Sequence, residues 1–293
     1  MTWSTTHLTA PLHSTKPRAE TKSGTQLSSN NLKLLSFNIQ VGIQTQRYSD
    51  YITKSWRHVL PHASRHLNLQ RVAEVVKDYD VVALQEVDAG SLRSSNVNQV
   101  EYIAQHAGFN HWHIQQNRKL AKIAAHSNGL LSKMPAEMVV DHTLPGLIPG
   151  RGAMQVTFGT GDFSLDIIVV HLSLSKKAQI KQLNYLAEML EHKKYFAVMG
   201  DMNCDPVLLA EELDKIGLAN IAADHPGPTY PSWKPSKSFD QIVVSDNLSI
   251  DRLAVLPDMI SDHLPIALEV TLPSELAKSI KARDTIASSN TNS

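Results

Sequence analysis

The chain has 293 residues, 42% hydrophobic and 19% charged, with 28 basic and 28 acidic side chains that balance to a formal net charge of zero. That composition is ordinary for a globular protein of one large domain or two small ones, and it lacks the basic excess of a strong nucleic-acid binder. A single cysteine, Cys204, excludes an internal disulfide and a cysteine-based zinc site, and no apolar run approaches the ~20 residues that span a bilayer. The first residues lack the apolar core of a secretory leader, so a cytoplasmic location is the expectation.

Residues 1–31 are rich in Ser, Thr, Lys, Pro and Asn and read as a disordered tail. The folded domain is expected over 32–272, and 273–293 is expected to be flexible after one or two helical turns. The first strand, 32–39, delivers Asn38. The stretch 42–68 mixes aromatics, histidines and arginines, among them Trp56, Arg57 and His58. It reads either as a surface helix or as a substrate-contacting loop. Periodicity predicts a helix over 67–77. The next strand, 80–87, carries Glu86, and a carboxylate ending a buried strand is costly unless paired or bound to a cation.

A helix over 98–107 leads to short strands at 112–115 and 128–132, with Asn117 between them. Residues 151–158 and 165–171 read as a hairpin around Gly159-Thr160-Gly161-Asp162, and its second strand delivers His171. A helix is expected over 176–192. The strand 195–199 then stops at Gly200-Asp201-Met202-Asn203, which places two polar side chains at a strand end. On an extended backbone Asp201 and Asn203 would point the same way and act on one object. Gly, Asp and Asn are also the commonest turn residues, so this motif alone reads first as a turn, and the recurrence of the pattern elsewhere in the chain is what outweighs that reading. A helix over 208–215 precedes the proline-rich loop 226–235, which contains Tyr230 and Trp233. Asp240 opens the strand 239–245, and Asp262 and His263 lie in the loop that feeds the last strand.

The recurring pattern is a β-run that ends in Asn, Glu, His or Asp. Carboxylates and an amide oxygen without cysteine suit Mg²⁺, with Mn²⁺ as the alternative, rather than structural zinc. Such a cation commonly serves a phosphate, where it polarises a phosphoryl oxygen. No phosphate-cradling Gly-rich loop accompanies it, which argues against a nucleotide-dependent kinase or ATPase.

Ser-Phe-Asn-Ile at Asn38, Leu-Gln-Glu-Val at Glu86, Gly-Asp-Met-Asn at Asp201 and Ser-Asp-His-Leu-Pro-Ile at His263 resemble the signature set of the endonuclease/exonuclease/phosphatase superfamily. Asn-Gly-Leu-Leu-Ser at Asn128, Arg-Gly-Ala at Arg151, Val-Val-His at His171 and Phe-Asp-Gln-Ile at Asp240 match in the same order. The resemblance implies an α/β (α+β) four-layer αββα sandwich, two mainly antiparallel sheets face to face with helices outside. It implies a Mg²⁺-dependent, nuclease-like hydrolase of phosphodiesters or phosphomonoesters. The alternative substrates are phospholipid or phosphoinositide head groups, and a catalytically inactive binding module is the remaining reading.

By the same resemblance, Asn38, Glu86 and Asp262 would serve the metal. Asp201 would act on the attacking water, Asn203 would hold the nucleophile or phosphate, and His263, polarised by Asp240, would stabilise the phosphoryl oxygen or supply a proton. His171 would donate to a non-bridging oxygen, and Arg151 would brace the sheet. Trp56, Arg57, His58, Asn117, Tyr230 and Trp233 are the candidate substrate contacts. Apurinic/apyrimidinic endonucleases carry Asn-x-Asp where this chain reads Asn38-Ile39-Gln40, a departure from the DNA-repair pattern. The Trp-Asp-Arg pattern of inositol 5-phosphatases is absent.

Overall fold

The computed structural model describes residues 30–40, 64–90, 97–120, 124–146, 150–215 and 226–290. In chain order the elements are β1 (Asn31–Asn38), α1 (Ser64–Val76), β2 (Val81–Val87), α2 (Gln99–Ala107), β3 (His111–Leu120), β4 (Ala124–Ser132), β5 (Met138–Thr143) and β6 (Gly152–Thr160). There follow β7 (Phe163–His171), α3 (Lys176–Leu190), β8 (Tyr195–Asp201), α4 (Pro206–Lys215), β9 (Asp240–Val244), β10 (Ser249–Val255), β11 (Ile266–Thr271) and α5 (Ser274–Asn290). The tail predicted over 1–31 lies outside the described residues, apart from Asn30 and Asn31.

The strands form a six-stranded sheet in the order β10-β11-β1-β2-β4-β3 and a five-stranded sheet in the order β5-β6-β7-β8-β9. Only β1 with β2 and β7 with β8 run parallel; the other ladders are antiparallel. Strand alternation decides which side chains meet between the sheets. From the first sheet come Leu32, Leu34, Val81, Ala83 and Leu130, and from the second Met154, Val156, Ile167, Val169, Ala197, Met199, Ile242 and Val244. The opposite face of the first sheet buries Leu35, Phe37, Val82 and Leu84 under Val72 and Val76 of α1 and Val100 and Ile103 of α2. That of the second buries Ile168, Val170, Phe196, Val198 and Val243 under Leu183, Leu186 and Leu190 of α3 and Leu209 and Leu213 of α4. Each fully buried aliphatic or aromatic side chain contributes roughly 1.5–3 kcal/mol, so this double-faced burial is what makes the strands read as near-continuous apolar runs.

Helix α2 shows why its boundaries were legible. The Asn98 side chain accepts from the amides of Val100 and Glu101, and Gly108 ends the helix in the left-handed region at φ 77°. Two edge strands, β5 and β10, escape the sequence reading. Each has a neighbour on one side only and exposes much of its length, so neither needs a long apolar run.

The C-terminal segment corrects the expectation of a tail that is flexible from residue 273 after a turn or two. Ser274–Asn290 is a 17-residue helix. Its Leu276, Ala277 and Ile280 are buried in the inter-sheet core, and Ser279 Oγ accepts from the Thr160 amide at the β6–β7 turn. Three apolar positions within five residues suffice to dock it, a stripe too short to stand out in a largely polar sequence. Helix α5 closes one end of the sandwich, at the β6–β7 turn, and leaves the carboxyl ends of β1, β2, β7 and β8 at the other. No helix among the described residues is long and apolar enough to cross a membrane.

Candidate active site

The same alternation that builds the inter-sheet core builds the site. Leu32 and Leu34 continue in step to Ser36 and Asn38; Leu165, Ile167 and Val169 continue to His171; Ala197 and Met199 continue to Asp201; Val244 and Ile242 lead back to Asp240. All four polar ends therefore face the gap between the sheets. Ladder register places His171 opposite Asp201 and Asp201 opposite Asp240, three neighbours in a row across the second sheet. The close approach of β7 and β8 here needs Gly200. At its φ of 148°, a Cβ would lie 1.9 Å from the Val170 carbonyl oxygen.

Glu86 is out of step with this rule. Val82 and Leu84 face the helices, so plain alternation would send Glu86 there too. Instead the β2–β4 register shifts between Leu84 and Val87, and Glu86 adopts φ 55°. The bulge turns the carboxylate inward, a use that bulges commonly have beside functional sites. Gln40 and Asn203 also occupy the left-handed region, at φ 44° and 51°.

Across the gap the Asn38 amide nitrogen donates to Asp201 Oδ2 at 3.1 Å and to Glu86 Oε1 at 3.4 Å. Asn38 Oδ1 accepts from the Gln40 amide at 3.2 Å. In this arrangement Asn38 offers hydrogens to the two acids, so it spaces and orients them. His171 Nε2 lies 3.5 Å from Asp201 Oδ2 and 4.0 Å from Glu86 Oε1. His263 Nδ1 bonds Asp240 Oδ2 at 2.7 Å, and its Nε2 lies 3.8 Å from Asp201 Oδ2. Asp262 Oδ1 accepts from Ser261 Oγ at 3.1 Å. The Asn203 amide donates to Asp201 Oδ1 at 2.9 Å, while its side chain donates to the Leu172 carbonyl at 3.0 Å. Asp201 and Asn203 are thus neighbours, though through a left-handed turn at Asn203 and not through the extended backbone expected.

Burial shapes the charges. Asp201 is pushed up to about 7, chiefly by burial and further by the Asp240 and Glu86 carboxylates, with His263 and the Asn203 amide opposing. Asp262 is pushed up to about 6 by burial and by Glu86, with His263 and Ser261 opposing. Burial alone would lower His263, but Asp240, Asp201 and Asp262 outweigh it and raise it to about 10, which keeps the ring cationic at neutral pH. The Cys204 thiol, raised to about 12 mainly by burial, is a packing residue.

The carboxylates have a consequence for stability in metal-free protein. Asp201 and Asp262 bind protons more tightly folded than unfolded, where the pKa is about 3.9. Between pH 4 and 7 the native state therefore holds more protons, and stability falls as pH rises through that window. His263 acts in the same direction above pH 6.5, where the unfolded imidazole loses its proton and the folded one keeps it. Melting in EDTA should occur at higher temperature at pH 5 than at pH 7.5, and Asp262→Asn should flatten the difference. A metal-free melting temperature that rises from pH 5 to 7.5 would contradict these shifts.

Asp201, Asp240 and His263 each offer one ligand atom within 4.8 Å of the others, a group that could hold a metal ion. His263 Nδ1 is already engaged by Asp240, so using that atom would break the short hydrogen bond. Glu86 and Asp262 are two further carboxylates at the site, and the upward push that Glu86 exerts on Asp262 is the repulsion a cation would relieve.

The remaining candidates divide. The Tyr230 ring lies 4.8 Å from the His263 ring and stacks on Phe239 at 5.7 Å, so it backs the histidine. Trp233, half-buried, sits in the same loop, beside Ser232, whose amide donates to the Asp262 carbonyl. Asn117 falls in β3, but its side chain is outside the described residues, as are Trp56, Arg57 and His58. The Arg151 backbone carbonyl accepts from the Leu144 amide at 3.1 Å. The sequence reading missed Thr229, whose hydroxyl donates to Asp240 Oδ2 at 2.6 Å; one threonine in a proline-rich loop carries no signal.

Comparison with known proteins agrees with this architecture. The model of the Endonuclease/Exonuclease/phosphatase family matches residues 35–263. An endonuclease/exonuclease/phosphatase from Beutenbergia cavernae DSM 12333 superposes with a TM-score of 0.63 at 20% identity, covering 83% of this chain and 72% of that one. A humanized D. rerio TDP2 does so with a TM-score of 0.57 at 16% identity, covering 83% and 99%. A mannosyl-6-phosphatase from Bacteroides thetaiotaomicron VPI-5482 gives a TM-score of 0.55 at 16% identity, covering 82% and 99%. No curated protein matches the chain in sequence.

Proposed function

The chain belongs to the endonuclease/exonuclease/phosphatase family and is a phosphoesterase of that family, and from that premise we propose that it is a Mg²⁺-dependent hydrolase that cleaves a phosphodiester by attack of water. The observation that carries the reading is the convergence on buried Asp201 of Asn38 from one sheet, His171 from the other and His263 from the last loop.

Roles follow from charge and position. Asp201, with its proton affinity raised toward neutrality, suits a general base that takes a proton from water. Asn38 and the Asn203 amide hold its two oxygens apart and fix its direction. His263, cationic and anchored through Nδ1, presents its Nε2–H to a developing phosphoryl oxyanion or to the leaving oxygen. His171, whose Nε2 lies 3.5 Å from Asp201 Oδ2, would donate to a second non-bridging oxygen. Glu86 and Asp262 would hold the cation with Asn38 beside them, an oxygen donor set that fits Mg²⁺ or Mn²⁺. When bound, the cation would polarise a phosphoryl oxygen and offset developing charge.

Nucleic acid is the first substrate to test, and the zero net charge favours a second reading, a lipid or small-molecule phosphoester. One structural relative is named a mannosyl-6-phosphatase, so phosphomonoesters belong in the same screen. Purified protein with Mg²⁺ should be assayed against plasmid DNA, oligonucleotides, phosphatidylinositol phosphates, sphingomyelin and sugar phosphates. Cleavage of none of them would defeat the proposal.

Glu86→Gln provides a sharper check. It should weaken Mg²⁺ binding by about 10-fold or more, so that added Mg²⁺ restores part of the lost rate. A rate loss insensitive to Mg²⁺ concentration would remove Glu86 from the metal site.

A further inference from the structure

Residues 229–237 fold back on themselves: the amides of Thr229 and Tyr230 donate to the Lys237 carbonyl, and those of Ser236 and Lys237 donate to the Tyr230 carbonyl. This small hairpin grips the histidine loop along its length. Leu264 donates its amide to the Thr229 carbonyl, Ser232 donates its amide to the Asp262 carbonyl, and Ser232 Oγ donates to the Ser261 carbonyl. At its base Thr229, fully buried, reaches Asp240, also fully buried. The hydroxyl donates to Asp240 Oδ2 at 2.6 Å and accepts from the Asp240 amide at 3.4 Å. The same Oδ2 accepts from His263 Nδ1, while Oδ1 has no partner.

We propose that Thr229 is a positioning residue that acts on His263 through Asp240. A carboxylate with one oxygen unpaired would be free to rotate, and either oxygen could then face the ring. The threonine hydroxyl, pinned between the carboxylate and the amide of one residue, selects Oδ2 and fixes the plane of the group. Asp240 in turn fixes the imidazole plane, and the Tyr230 ring backs its face. The loop backbone bonds hold the position of His263, whereas the Thr229 hydroxyl holds its orientation. These two contributions separate on mutation, because Thr229→Val keeps the backbone bonds and the shape but deletes the hydroxyl.

The proposal rests on the reading of His263 as the group that faces the phosphoryl oxygens, so its test needs a second, activity-independent readout. Thr229→Val and Thr229→Ser should be compared with wild type in the full-length protein with Mg²⁺, using bis(p-nitrophenyl) phosphate. The valine variant should lose about 10-fold in kcat with KM little changed, part of the ~10²-fold that loss of a general acid costs. The serine variant should stay close to wild type. In parallel, the His263 Nδ1 proton, assigned by its absence in His263→Ala, should move or broaden in the valine variant and not in the serine one. A valine variant with wild-type kcat, or a serine variant that falls as far as valine, would overturn the proposal. Should wild type turn over no phosphoester, the functional reading fails and the proton resonance alone decides: unchanged in Thr229→Val, it overturns the positioning role.

Discussion

His263→Ala should lower phosphodiester turnover by on the order of 10²-fold or more, and Asp240→Asn should damage the same step. The two residues lie 23 positions apart in sequence, yet Nδ1 and Oδ2 meet at 2.7 Å inside the protein. Groups that act as a unit are non-additive, so Asp240→Asn/His263→Ala should be little worse than His263→Ala alone. The alternative is that Asp240 merely satisfies buried donors from Thr229 and the loop. Its losses would then multiply with those of the histidine. Stability must be followed beside the rates, because breaking a buried charged pair leaves one partner uncompensated and costs about 3–5 kcal/mol. Both single variants should therefore melt lower, and kcat should be measured well below their transitions. Multiplicative loss in the double variant would remove the dyad from the mechanism.

The positions of Asn38, His171, Asp201 and Asp240 are legible because they obey the same period as the core. Each continues an alternating apolar face: His171 and Asp201 lie two residues past the last buried aliphatic, Asp240 two before the first, and Asn38 four past Leu34 with Ser36 between. Glu86 is singled out by its motif and by the cost of a carboxylate at the end of a buried strand, but neither gives its direction. Its inward direction depends on a bulge between β2 and β4, and a register shift is set by two strands together, not by either sequence. Asn203 shows the converse failure. The i, i+2 rule predicted a common direction with Asp201, but the left-handed backbone at φ 51° breaks the extended geometry on which the rule depends.

Proximity across the chain was beyond local patterns. The contact of Thr229 with Asp240, and the packing of Tyr230 on His263 where a substrate contact was expected, arise from the way the proline-rich loop folds back. Helix α5 was underestimated for a related reason. Its buried stripe of Leu276, Ala277 and Ile280 is short and is stabilised by the open end of a sandwich that no local window reveals. The edge strands β5 and β10 were missed because one-sided pairing and exposure leave little apolar signal.

The role proposed for the carboxylates at this end of the sandwich, with Asn38 beside them, is to serve a divalent cation. Glu86 lies close enough to Asp262 and to Asp201 to raise both, and burial of like charges at this density is costly without a counter-ion. The decisive measurement is hydrolysis by metal-stripped protein during titration with Mg²⁺, paired with calorimetric titration of the same sample. Turnover should be absent in EDTA, recovery should track a binding isotherm, and that isotherm should be lost in Glu86→Gln at matched concentrations. Full phosphoesterase activity in the stripped protein, with no heat of Mg²⁺ binding, would contradict that role.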